Sequence, residues 1–441
     1  MSPRAAVTRR LERYFAFEAL GTNWRTEILA GVTTFLTMAY IVFVNPSILR
    51  EAGVPFPAAM AATCLCAAFG SVLMGVYARY PVAMAPGMGI NAYFAYTVVK
   101  GMGLSWQTAL GTVFLSGVAF VLLAASGVRR LVLSAVPVEL HASVAAGIGL
   151  FLALIGLQNA GVIAAAPETM VKLGNLRSPN ALLAGFGLLL MCALMAWGVR
   201  AAMLIGILAT AAAAALCGLA RWEPHSLEWS QLTAAAGRLD VRSALDLGLL
   251  EIVFVFLFVI LFDNIGTLVG VAKKAGLMDT EQRIPRVERM LLTGASATLL
   301  SSLSGTSPAV CYIESAAGVS AGGRSGMTAI VTGLLFVPAL FLAPLVGMIP
   351  AAATAPALIV VGSLMVSTVA EVPWSNPVVA MPAFLTMVTI PLTFSIANGI
   401  AIGFITYTAL KALRGEWRTV SWLVYLLTAL FVLRFAYLGG H

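Results

Sequence analysis

The chain has 441 residues, of which 60% are apolar and 10% charged, with a net charge of +8. A soluble domain carries about 25% charged residues, so no water-facing surface can be built here and lipid must face most of the chain. The basic residues sit in short hydrophilic connections rather than on a nucleic-acid face, the distribution expected of cytoplasmic loops.

In chain order, residues 1–25 hold Arg4, Arg9, Arg10, Arg13 and Arg25 and no apolar core, which predicts a cytoplasmic N-terminal segment. Apolar runs follow at 26–46, 58–79, 88–100, 106–126, 140–160, 180–198 and 201–219, a first set of seven within 26–219. A polar stretch at 220–247 reads as an external connection. A second set spans 248–413, with runs at 248–272, 288–303, 309–320, 326–348, 351–369, 379–396 and 398–413. Residues 414–441 add one extra apolar helix, which either crosses or lies along the interface. Long unbroken runs predict helices rather than the ten-residue alternation of a barrel.

The two sets resemble each other. Each has a Pro- and Gly-bearing break before an unusually short apolar run: Tyr80-Pro-Val-Ala-Met-Ala-Pro-Gly-Met-Gly-Ile-Asn91 in the first, Leu303-Ser-Gly-Thr-Ser-Pro-Ala-Val-Cys-Tyr-Ile-Glu314 in the second. The breaks are carried by Pro86, Gly87 and Gly89 and by Gly305, Thr306 and Pro308. The run after Pro137 parallels the run after Pro350. Seven segments per set is odd, so the copies insert with opposite topology, and interrupted helices at matching positions mark a secondary transporter. With the N-terminus inside, Arg129, Arg130, Arg200, Lys273, Lys274, Arg283, Arg286, Arg289 and Arg324 all fall on the cytoplasmic side.

An acid at the centre of a spanning helix costs roughly 2.5–3.5 kcal/mol on insertion scales, so each is a functional candidate. Asp263 lies deep in the run from Phe254 to Gly270, with Thr267 one turn on and Gly266 and Gly270 spaced to admit another helix. Glu314 is placed about a turn into the short helix after Pro308, near its positive end. Asn91 is the matching polar residue of the first break, and Asn264, Ser307, Thr306 and Asn398 are weaker candidates. Phe35, Thr37, Met38 and Tyr40 point to different sides of the first helix. Two intramembrane carboxylates suit a neutral, donor-rich heterocycle or a proton, and suit an inorganic anion poorly. The five cysteines read as packing residues, and the three histidines are spaced too widely for a local zinc motif. No cofactor, metal or enzyme motif is expected.

At these residues the chain resembles the AzgA-type purine permeases of the nucleobase–ascorbate transporter superfamily. The stretches are Phe35 to Pro46, Ala85 to Phe94, Gly149 to Asn159, Leu261 to Val271 and Tyr312 to Val319. The resemblance implies an all-α polytopic membrane protein of fourteen segments in two inverted sets of seven. Segments 1–4 and 8–11 would form a core domain and the rest a gate domain, with a short strand plus a half-helix in segments 3 and 10. It implies import of adenine, guanine or hypoxanthine with a proton, by a homodimer in the bacterial inner membrane, the core sliding against the gate. Asp263 and Glu314 would bind purine and proton, with Asn91 completing the site. The chain departs from the family's usual pattern at Asn264, at Pro308 and at Asn398, where the family often has Asp. These changes leave open a modified or non-purine ligand. The rival reading is an anion exchanger on the same fold.

Overall fold

A computed structural model describes residues 3–126, 138–166, 168–219, 228–246, 249–278, 284–342 and 349–437. The placements expected for Arg129, Arg130, Pro137 and Arg283 lie outside the described residues. After a surface helix α1 (Pro3–Tyr14), the first set comprises α2 (Trp24–Met38) with α3 (Ile41–Glu51), α4 (Phe56–Leu73), β1 (Met84–Pro86) with α5 (Met88–Ala92), α6 (Trp106–Ala125), α7 (Val138–Asn159), α8 (Pro179–Ala196) and α9 (Ala202–Leu216). Strands β2 (Ile163–Ala166) and β3 (Met170–Leu173) form a hairpin between α7 and α8. Two short helices, α10 (Trp229–Leu232) and α11 (Val241–Ala244), lead to the second set. That set is α12 (Leu250–Ala275), α13 (Val287–Ser304), β4 (Ala309–Cys311) with α14 (Ser315–Ser320), α15 (Gly326–Ala339), α16 (Ala351–Val366), α17 (Pro377–Thr393) and α18 (Ile396–Leu413). Helix α19 (Trp422–Tyr437) stands outside both. Eight of the described helices are long and apolar enough to cross a membrane, so the protein is multi-pass.

Local chemistry sets the ends. Asn23, Ser105, Ser178 and Ser395 each accept a backbone N–H in the first turn of the helix that follows, satisfying donors that a helix start leaves unpaired. The first run is interrupted at Ala39–Tyr40, which divides it into α2 and α3.

The packing is reciprocal between the sets. Helix α4 lies against α15 and α6 against α13, while α7 pairs with α16, α8 with α16 and α7 with α17. Corresponding elements thus exchange partners, as a two-fold relation requires, and β1 meets its own counterpart β4 antiparallel. Two groups result. Segments α2–α6 and α12–α15 pack chiefly among themselves, and α7–α9 with α16–α18 do the same. Between helices in lipid the attraction is close packing rather than water exclusion. A Cβ on Gly362 would stand 2.5 Å from the Gly149 carbonyl oxygen, so α7 and α16 approach backbone to backbone.

Links between the groups are few. A Cβ on Gly89 would lie 2.2 Å from Ile148 Cγ2, so α5 abuts α7. Arg200, in the turn between α8 and α9, donates to Thr33 Oγ1 of α2 at 3.0 Å. The described part of the polar stretch, residues 228–246, is docked: Gly237 N–H reaches Leu303 O at 2.8 Å and Asp240 N–H reaches Gln107 O at 2.9 Å.

One acid inside the first apolar run escaped the sequence reading. Glu27 is fully buried. It accepts from Thr22 Oγ1 (2.8 Å), Thr328 Oγ1 (2.6 Å) and the backbone N–H groups of Arg324 (3.0 Å), Ser325 (3.2 Å) and Thr328 (3.2 Å). It is the N-terminal cap of α15, supplied by α2.

Helix α19 runs antiparallel along α18. Thr408 and Thr428 share a hydrogen bond of 2.8 Å, and Phe404 meets Phe431 with ring centroids 6.1 Å apart.

Candidate functional site

The two breaks meet in the interior. Met84, Ala85 and Pro86 pair with Cys311, Val310 and Ala309, and Gly87 N–H extends the ladder to Pro308 O at 3.0 Å. A Cβ at Gly87 would stand 2.8 Å from Val310 Cγ2, so only glycine lets the strands cross here. A two-stranded pairing of three residues leaves edge groups without partners, and in a bilayer each such group is costly. Side chains take them up. Ser71 Oγ accepts from Met84 N–H (2.9 Å) and donates to Met84 O (3.0 Å). Asn264 Oδ1 accepts from Cys311 N–H (2.9 Å), and Tyr312 Oη donates to Pro86 O (2.5 Å).

This pairing corrects the position given to Glu314. The residues after Pro308 are consumed by β4, so α14 begins only at Ser315 and Glu314 is the residue just before it. Its carboxylate makes no cap. Tyr40, at the interruption between α2 and α3, donates its hydroxyl to Glu314 Oε1 at 2.8 Å. Tyr40 is therefore the member of the first run that faces the site, which periodicity alone did not reveal. Asp263 on α12 and Glu314 are both half-buried, and the two lie within electrostatic reach of each other and of Tyr312. Thr267 is half-buried one turn below Asp263.

Asn91, Ser307, Thr306 and Asn264 fall into an inner layer, whereas Asn398 lies half-buried in the first turn of α18. Asn91 and Ser307 are fully buried and bonded to each other, Ser307 Oγ donating to Asn91 Oδ1, so the two breaks are joined side chain to side chain. Asn91 Nδ2 has no partner among the described residues. Thr306 accepts from Asn45 Nδ2 at 3.0 Å, and the same amide reaches Thr63 Oγ1 at 2.7 Å. Asn45 went unnoticed in the sequence, although a lone amide inside an apolar run is itself a signal. Asn264 is 1% exposed, and both its polar atoms are engaged, Nδ2 reaching Ile260 O at 2.8 Å. It acts as a strut tying β4 to α12. Among the described residues the close helix contact expected at Gly266 and Gly270 is not found: none places an atom within 4 Å of a Cβ at Gly266, and Ile313 Cδ1, at 3.6 Å, is the one that approaches a Cβ at Gly270. The glycines line an open face beside the carboxylates, where Ile313 is 52% exposed.

The Tyr40–Glu314 bond carries a prediction. Tyr40→Phe keeps the buried ring and removes one donor to a carboxylate, worth about 1.5–3 kcal/mol. The apparent KM for transported substrate is expected to rise roughly 10-fold as Glu314 loses the group that positions it, and the ligand-free melting temperature to fall by no more than the loss of that one bond allows, with membrane yield near wild type. An unchanged KM would remove Tyr40 from the site.

Two inverted sets of segments, short strands with half-helices crossing in the interior, and acids at the crossing define an inverted-repeat membrane transporter. Solved structures agree on the fold. The transmembrane domain of a cyanobacterium bicarbonate transporter, BicA, superposes with a TM-score of 0.60 at 16% identity, covering 86% of this chain and 96% of that one. In sequence, the chain is 44% identical to the adenine permease AdeP of Escherichia coli (strain K12) across 98% of this chain and 97% of that protein. It is 45% identical to the guanine/hypoxanthine permease PbuG of Bacillus subtilis (strain 168), across 97% and 100%. Residues 25–402 match the family model Xan_ur_permease, described as Permease family, and the chain belongs to that family. It is a permease, not an enzyme.

Proposed function

We propose that this protein imports a purine nucleobase together with a proton, Asp263 and Glu314 contacting the base and one of them carrying the proton. The observation that carries the reading is the pair of half-buried carboxylates, on α12 and at the start of α14, beside an open face. A purine presents ring N–H or amino donors to such oxygens. A proton taken up by one acid relieves the repulsion between them. The names of AdeP and PbuG support adenine, guanine or hypoxanthine as the cargo. The grouping of α2–α6 with α12–α15 against α7–α9 with α16–α18 supports a core that slides past a gate. With the N-terminus cytoplasmic, in the inner membrane of a bacterial cell, the open face at the C-terminal end of α12 looks inward. A homodimer would fix the gate group in the lipid.

Purified protein in liposomes is expected to accumulate radiolabelled adenine or hypoxanthine when the lumen is alkaline relative to the outside, and to stop when a protonophore collapses the gradient. Chloride or bicarbonate flux with no purine uptake would favour the anion-exchanger reading instead. Two neighbouring acids at the crossing disfavour that reading.

A further inference from the structure

Helix α12 carries one residue series at four-residue spacing that changes character halfway: Phe254, Phe258, Phe262, then Gly266 and Gly270. The change falls beside Asp263. The ring half is fully occupied. Phe254 meets Phe431 of α19, Phe258 meets Phe404 of α18 at 5.6 Å between centroids, and Phe262 meets the imidazole of His141 on α7 at 3.9 Å. These partners include α7 and α18 of the gate group, so the rings bridge the two groups on that side of the carboxylates. The glycine half is open among the described residues: Gly266 and Gly270 are exposed, no described atom lies within 4 Å of a Cβ at Gly266, and Ile313 Cδ1 alone, at 3.6 Å, approaches one at Gly270. His141 Nε2 is buried and makes no hydrogen bond among the described residues, so that nitrogen does not tie the imidazole to its present place.

Four residues of α-helix rise about 6 Å. A slide of α12 by that distance along α7 carries His141 from Phe262 to Gly266. The sense of the slide moves the core group toward the N-terminal end of α12. A flat ring can seat against a helix there only if the position lacks a side chain.

We propose that Gly266, with Gly270 below it, is the vacant berth into which His141 and the start of α7 move when the core group changes sides. That move shuts the face now open beside Asp263 and Glu314. The inference rests on the sliding-core reading of the proposed function. The rings and the glycines are then two ends of one rail, each sealing one side of the site in turn. A Cβ at Gly266 meets no described residue within 4 Å in the present conformation, and a leucine is the better helix former. Filling the berth therefore leaves the fold intact and obstructs only the other conformation.

The test is Gly266→Leu, with Gly266→Ala as the graded variant, each purified and placed in liposomes. Expected for Gly266→Leu are a ligand-free melting temperature at or above wild type, an unchanged thermal shift on adding adenine or hypoxanthine, and a fall of more than 10-fold in both net uptake and counterflow. Gly266→Ala should fall between it and wild type. Wild-type transport by Gly266→Leu overturns the proposal, as does loss of the ligand-induced shift together with uptake, which would make the groove a binding surface. Failure of wild-type protein itself to bind or move either purine would instead count against the proposed function.

Discussion

Replacing Asp263 with Ala, or Glu314 with Gln, is expected to end gradient-driven purine uptake while the protein still inserts and melts cooperatively. Both side chains are half-buried, and neither donates or accepts in the strand crossing itself, which is held by Ser71, Asn264 and Tyr312. The fold therefore does not depend on them. Glu314→Gln keeps an oxygen for the Tyr40 hydroxyl and loses only the charge and the ability to take up a proton. Asp263→Ala removes a partner whose charge-assisted hydrogen bond contributes about 1.5–3 kcal/mol, or roughly 10- to 150-fold in affinity. Equilibrium binding and counterflow separate the two roles. The variant that retains counterflow but no longer responds to a pH gradient has lost the proton carrier. If both variants concentrate adenine and hypoxanthine as the wild type does, the site lies elsewhere.

The second large effect falls far from this site. Glu27→Ala strips four donors of their acceptor, the hydroxyls of Thr22 and Thr328 and the N–H groups of Arg324 and Ser325, and leaves the Thr328 N–H only the Ser325 carbonyl at 3.3 Å. A buried donor left without a partner costs about 1–3 kcal/mol, and Ser325 and Thr328 are fully buried. A loss of at least about 2 kcal/mol is expected even if water reaches the others. The readout is membrane yield and melting temperature in detergent, with transport per folded molecule largely kept. Glu27→Gln should rescue only part, because its amide turns N–H groups toward N–H groups. A Glu27→Ala protein as stable as wild type would show that the cap is dispensable.

Much of this was legible from residue order. The apolar runs mark the segments, the Pro- and Gly-bearing breaks mark the crossing, and an aspartate in the middle of a phenylalanine-rich run announces itself. What escaped was decided by contacts across hundreds of residues. Glu27 opens the first run just after the Asn23 cap, where an acid looks like an ordinary helix-start partner, and its true partners are some 300 positions away. Tyr40 shares its helix with several polar and aromatic residues, and only the position of Glu314 selects it. By composition the stretch after Pro308 is apolar enough to be helix; the short strand expected there rests on the family resemblance alone, and it forms because β1 offers it hydrogen bonds, which moves Glu314 to the residue before the half-helix. The spacing of Gly266 and Gly270 reads as a close helix contact, which is not found among the described residues, because a spacing cannot say whether a neighbour is there.

The crossing of β1 and β4 also bears on how the chain is made. Its side-chain clasp, Tyr312 to Pro86, joins residues 226 positions apart. During synthesis the first seven segments enter the bilayer long before their partners exist. At the usual rates of about 5–20 residues per second, β1 waits tens of seconds or less with its peptide groups unpaired. Within that interval the first half holds an unfinished strand edge in lipid, the point at which it is most open to wrong pairing with a second nascent copy or to removal by membrane proteases. A truncation after α9 is accordingly expected to be short-lived in cells, and to be rescued by co-expressing residues 248–441 as a separate chain.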